Sequence, residues 1–165
     1  TVAVAFNNGQ AASSGTVVIP QGGNLGDVSG SAVVNINNTG SSISGTVSGG
    51  TINVNESASI ATLNGGSVTI ANGKVLSVDS GDSAGALSGS GKLKKTSSGS
   101  LKLTGDNSGF TGEANVAAGT LEVTSANALG SASKVDLGTS GNSTAATLKV
   151  NSSGATEIST NITVA

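Results

Sequence analysis

Pairs of aliphatic residues recur along the first half of the chain at an almost constant step. Val17/Ile19, Val34/Ile36, Ile52/Val54 and Val68/Ile70 are separated by 17, 18 and 16 residues. A second series, Leu25, Ile43, Ile60 and Leu76, steps by 18, 17 and 16. Two series sharing a step restrict the fold to one in which a short unit is laid on copies of itself. Within each unit apolar and polar residues alternate, as in Val34-Asn35-Ile36-Asn37 and Ile52-Asn53-Val54-Asn55, which is the pattern of half-buried strands. Gly, Ser and Asn clusters separate these runs. No window carries an apolar stripe at helical spacing, and Ser125–Gly130 has room for one short turn. The pattern predicts an all-β solenoid of parallel strands stacked about 4.8 Å apart. Inward residues form continuous aliphatic rows, and no coil buries its face alone. At roughly twenty residues each, the chain makes about eight coils.

Composition fits this reading and removes several function classes. Ser, Thr, Asn and Gly fill more than half of the 165 positions, and the only aromatics are 2 Phe. A narrow interior accepts Val, Ile, Leu and Ala, while corners that need a positive φ accept Gly and Asn. The absence of His and Cys excludes Ser-His-Asp and Cys-His catalysis, thiolate chemistry and the common zinc sites. A net charge of −2 with 10% charged residues does not suit nucleic acid. No apolar run approaches the length of a membrane-spanning helix. The chain begins at Thr1 with no basic, apolar leader pattern after it, so we expect a segment of a longer protein.

The rhythm changes after residue 80. The pairs become Leu101/Leu103, Leu121/Val123, Val135/Leu137, Leu148/Val150 and Ile162/Val164, with steps of 20, 14, 13 and 14. The long step indicates a loop-bearing coil. The short steps leave open whether successive pairs lie on one face or on two faces of the same coil. In this region Leu93, Lys95, Gly99, Leu101, Leu103, Thr104 and Gly105 are followed by Phe110, Thr111 and Gly112. Val116, Gly119, Thr120 and Leu121 come next. With that spacing the segment 87–130 resembles the passenger-associated transport repeat of Gram-negative autotransporters. Ser97 departs from a usual Gly, and Glu113-Ala114 from a usual Gly-Thr. The resemblance covers roughly a quarter of the chain. It implies a right-handed parallel β-helix in a secreted or surface-exposed passenger, a parent chain with an outer-membrane β-barrel, and a part in passenger folding and transport. We expect one β-helix domain over 1–165, with regular short coils over 1–86, the repeat over 87–130 and further coils over 131–165.

Read as residues alone, Leu93, Leu101, Leu103, Val116, Leu121 and Val123 are core, and Phe110 either plugs a wider corner, the reading we favour, or stands exposed as a ligand-stacking ring. Lys92, Lys94, Lys95 and Lys102 place four of the seven cations close together. They offer either a small basic patch for sulfated glycans or phosphate, or a solvated face with edge-blunting lysines, the reading we favour. Asn35 with Asn53, and Asn37 with Asn55, form either an Asn ladder or two solvated pairs. Asp27, Asp79 and Asp82 read as turn aspartates, lacking the acidic count that Ca²⁺ needs. Glu56, Glu113, Glu122 and Glu157 are scattered without partners, so we expect no catalytic residue, cofactor or metal. An ice-binding solenoid lacks its repeated Thr ranks, and Ile36 to Ile43 breaks the six-residue series of a left-handed hexapeptide helix. The expected partners are a host surface protein or glycan, or further copies of the chain, and not nucleic acid. The alternative is a non-catalytic scaffold for an enzymatic domain elsewhere in the parent.

Overall fold

The computed structural model describes residues 9–83, 85–125, 127–141, 143–151, 158 and 160–165. Its strands pair in parallel and stack as a β-solenoid of about 7 turns, with no helix among the described residues. The first coils contain β1 (Gln10–Ala12), β2 (Thr16–Val18), β3 (Asn24–Val28), β4 (Val33–Ile36), β5 (Ser42–Val47) and β6 (Thr51–Val54). The middle contains β7 (Ala58–Leu63), β8 (Ser67–Ile70), β9 (Val75–Ser83), β10 (Leu87–Gly89), β11 (Lys92–Lys95) and β12 (Ser100–Leu103). The last coils contain β13 (Glu113–Val116), β14 (Gly119–Val123), β15 (Lys134–Leu137), β16 (Ala146–Val150) and β17 (Ile162–Val164).

The odd-numbered strands β1 to β17 form sheet A, and β2, β4, β6, β8 and β10 form sheet B. In the early coils one strand serves two faces. Register shifts inside β3 and β5 carry the chain around a corner without ending the ladder. Strand β9 is where this arrangement divides. Its first half pairs with β11, while Gly81–Ser83 pair with β12. From there β12, β14 and β16 form a separate sheet C.

Rows of aliphatic side chains make the core. On sheet B, Val17, Val34, Ile52, Val68 and Leu87 are successive register partners, each at most 3% exposed. Beside them run Ile36, Val54, Ile70 and Gly89. Gly89 has φ +95°, and a Cβ there would lie 2.1 Å from the Ile70 carbonyl oxygen. The next position in this row is Phe110, bridged to Gly89 and fully buried. On sheet A the row is Leu25, Ile43, Ile60 and then Val78, not Leu76. Leu76 lies over Ala58 instead. Leu76 and Val78 have the same inward parity, so a slip of two residues keeps every face and spacing alone cannot detect it.

The late pairs occupy two faces of each coil. Val135/Leu137 and Ile162/Val164 are on sheet A, stacked on Ala114/Val116. Leu121/Val123 and Leu148/Val150 are on sheet C, stacked on Leu101/Leu103. Sheet A steps by 21, 21 and 27 residues from Leu93 to Ala114, Val135 and Ile162, and sheet C by 20 and 27 from Leu101 to Leu121 and Leu148. About 7 turns therefore form, and not the eight expected at roughly twenty residues each. Leu93, Leu101, Leu103, Val116, Leu121 and Val123 are all buried.

Candidate functional site

The polar side chains act mainly along the axis, from one coil to the next. Asn53 is the register partner of Asn35, and its Nδ2 donates to Asn35 Oδ1 at 2.8 Å. Asn55 Nδ2 donates to Asn37 Oδ1 at 2.7 Å. The inner column continues through Thr69, whose hydroxyl lies 2.9 Å from that of Ser88. An in-register stack sets identical side chains one strand spacing apart, so one amide's donor reaches the next amide's acceptor.

The four clustered lysines do not form one basic patch. Lys92 Nζ lies 2.8 Å from Glu113 Oε2, and Lys102 Nζ lies 3.6 Å from Asp82 Oδ2. Lys92 and Lys94 are on sheet A, Lys102 is on sheet C, and Lys95 is fully buried. The alternation of β11 explains the last placement. Leu93 points inward, Lys94 outward, and Lys95 falls inward between Val78 and Val116. Its stem fills the aliphatic row, and its ammonium donates to the carbonyls of Thr96, Ser97 and Ala118 at the corner. Burial pushes the Lys95 ammonium below its ordinary value, against the opposing pull of Asp79. Asp79 in turn accepts from the Thr96 and Ser97 hydroxyls at 2.6 and 2.9 Å. Ser97 has φ +59°, the left-handed conformation that a Gly would adopt without strain.

Two columns of charged side chains alternate in sign in register. On sheet A, Lys92, Glu113 and Lys134 are successive partners. On sheet C, Asp82, Lys102, Glu122 and Lys149 are successive partners. Hydrogen bonding from Lys92 holds the Glu113 carboxyl below its usual value, with Lys92 and Lys134 adding attraction. Glu122 is also lowered, first by hydrogen bonding from Asn151 and then from Lys149. Lys134 is raised by its hydrogen bond to Asp136, at 2.9 Å. Asp27 accepts from the Thr46 amide at 2.7 Å, and Asp106 from the Ser108 amide at 3.0 Å. Glu157 lies outside the described residues.

One functional side chain escapes the sequence patterns. Asn107 is 1% exposed, beside Phe110 in the loop that turns the widened coil. Its Oδ1 accepts from the Leu87 amide at 2.7 Å, and its Nδ2 donates to the Ala128 carbonyl at 2.6 Å. One side chain therefore stitches three coils. Its only sequence signal is a step of twenty residues from Leu87 to Asn107, matching that from Leu101 to Leu121.

An open groove of about 380 Å³ crosses the corners before β9, β11 and β13, lined by Lys74, Ser90, Lys92, Thr111 and Glu113. Its charges are already engaged. Both oxygens of Glu56 lie 2.9 Å from Lys74 Nζ, and Lys92 holds Glu113. Among the described residues no group of three acids could hold a metal ion. Every buried side-chain nitrogen and oxygen there has a hydrogen-bond partner. The arrangement can bind coil to coil and present regular polar columns. Compared with known proteins, the chain matches no family model, no curated protein and no solved structure.

Proposed function

We propose that this chain is a non-catalytic, adhesive β-helical rod, part of an autotransporter passenger displayed on a Gram-negative surface or secreted from it. The observation that carries the reading is the use of its polar residues. Asn35/Asn53, Asn37/Asn55 and the two charge columns spend their groups on axial ladders and leave a repeating outer surface. Such a surface makes many weak contacts with a host protein or glycan, or with another copy, and copy number multiplies them. The resemblance of 87–130 to the transport repeat adds the passenger assignment, the barrel-bearing parent and a part in folding and transport. No helix of the described residues is long and apolar enough to cross a membrane. Bacteria displaying the chain should settle faster or attach better to coated surfaces than cells displaying an unrelated protein at the same surface level. Equal settling and equal attachment refute the adhesive role. Hydrolysis of peptide, ester or glycan substrates by the purified chain, lost on mutating one of its acids, refutes the non-catalytic one.

A further inference from the structure

We infer that the outer face of sheet C is a self-docking surface, on which a second copy packs face to face with its solenoid axis reversed. The inference rests on the self-association form of the adhesive reading and names the surface and its symmetry. Along the axis the column Asp82, Lys102, Glu122, Lys149 reads minus, plus, minus, plus. A two-fold axis lying in the interface along the strands, between Lys102 and Glu122, maps the column onto itself in reverse order. Each charge then meets its opposite: Asp82 faces Lys149 of the other copy, and Lys102 faces Glu122. An even-numbered alternating column is self-complementary under this operation, which is the condition an isologous dimer must meet.

The column is available. The side chains of Lys102, Lys149 and Asp82 are 38%, 53% and 60% exposed, while Glu122, held by Lys149 and Asn151, is 14% exposed. Its neighbours Ser100, Thr120 and Thr147 form a second in-register column of hydroxyls on the same face. Sheet A does not meet the condition. Its column Lys92, Glu113, Lys134 has three members, so the same operation sets Glu113 against itself and Lys against Lys. Lys94 and Asp136, which do find opposite partners, offset only part of that repulsion. Four short strand segments, counting Gly81–Ser83 of β9, make a small interface, weak in solution and strengthened by copy number on a cell.

The test is a pair of charge reversals. In Lys102→Glu the column reads minus, minus, minus, plus, and two like-charge contacts cross the two-fold axis. Glu122→Lys reads minus, plus, plus, plus, with the same consequence. Each variant alone should self-associate at least about tenfold more weakly than the wild type. Mixed together, the two columns are complementary at all four positions. The heterodimer should therefore recover wild-type strength. Sedimentation of the intact chain up to ~1 mM, in about 0.1 M and about 1 M salt, with one variant fluorescently labelled, reads all of these. The wild-type dimer should weaken at high salt. The proposal is overturned by a monomeric wild type, by single variants that dimerise like the wild type, or by a mixture no stronger than either variant. Folding of the variants is checked by their thermal melts, and recovery in the mixture itself requires both to be folded. Settling and attachment of displaying cells separate the two readings. A monomeric chain whose cells still adhere sinks only the sheet C surface, while a chain that dimerises as described on cells that neither settle nor attach sinks only the adhesive role.

Discussion

Replacing Asn107 by Ala tests whether a single buried amide ties three coils together. The substitution removes the acceptor of the Leu87 amide and the donor to the Ala128 carbonyl, at 2.7 and 2.6 Å. Leu87 is 3% exposed and Ala128 is fully buried, so neither backbone group gains water when its partner is lost. Each stranded group costs about 1–3 kcal/mol, and partial relaxation of the loop brings the sum to about 2–4 kcal/mol. In a solenoid each coil touches only its neighbours, so the loss stays local. Hydrogen exchange resolved by residue is therefore the assay, and exchange at the Leu87 amide should accelerate by about 30- to 700-fold. Asn107→Asp provides the complementary measurement. Near neutral pH its buried carboxylate faces the Ala128 carbonyl and should destabilise at least as much as Ala. Protonated, the carboxyl can again donate to Ala128 and accept from Leu87, so the stability gap to the wild type should narrow as the pH falls. An Asn107→Ala variant whose Leu87 exchange changes less than about threefold would refute the reasoning.

Other consequences concern the core and the charge columns. Lys95→Met should lie within about 1 kcal/mol of the wild type or above it, because an aliphatic chain fits between Val78 and Val116 without a buried charge. Lys95→Ala empties the same site and should cost about 2–5 kcal/mol in denaturant unfolding. A Met variant less stable than the Ala variant would show that the ammonium's bonds to the corner carbonyls dominate. Glu113 and Glu122 have carboxyls lowered by folding, so the stability they add is complete above their ordinary value of 4.5 and is lost as the pH falls through the folded values. The urea midpoint should drop on acidification through that window, and Lys92→Met should flatten the slope; an unchanged slope in that variant rules out the ladder as the cause. Gly89→Ala should cost more than about 2 kcal/mol, since it combines a left-handed backbone with contact at the Ile70 carbonyl. A thermal melt unchanged in that variant would mean the row shifts to accept a side chain.

The constant step and the period-2 alternation determined the solenoid, the inward rows of sheet B and the placing of Asn35 over Asn53 and Asn37 over Asn55. These are consequences of coil length and of strand geometry, and both are written locally in the residues. The alternation also assigns Lys95 the parity of Leu93. Its charge argued for the surface, and only the tertiary structure supplies the three corner carbonyls that let the ammonium be buried. Register partners after residue 80 were decided in three dimensions as well. A coil can absorb extra residues in a corner loop, so the distance from Leu121 to Leu148 no longer reports the distance from Leu101 to Leu121. For the same reason the alternating charge columns were invisible in the sequence. Glu122 meets Lys149 across 27 residues, and Lys102 across 20. Two-residue slips such as Leu76 for Val78 preserve every face, so packing against Ala58 and Ile60 had to choose between them. Asn107 is the clearest case. Its chain neighbours mark it as an ordinary loop residue, and its role exists only because stacking brings the Leu87 amide to one side of it and the Ala128 carbonyl to the other.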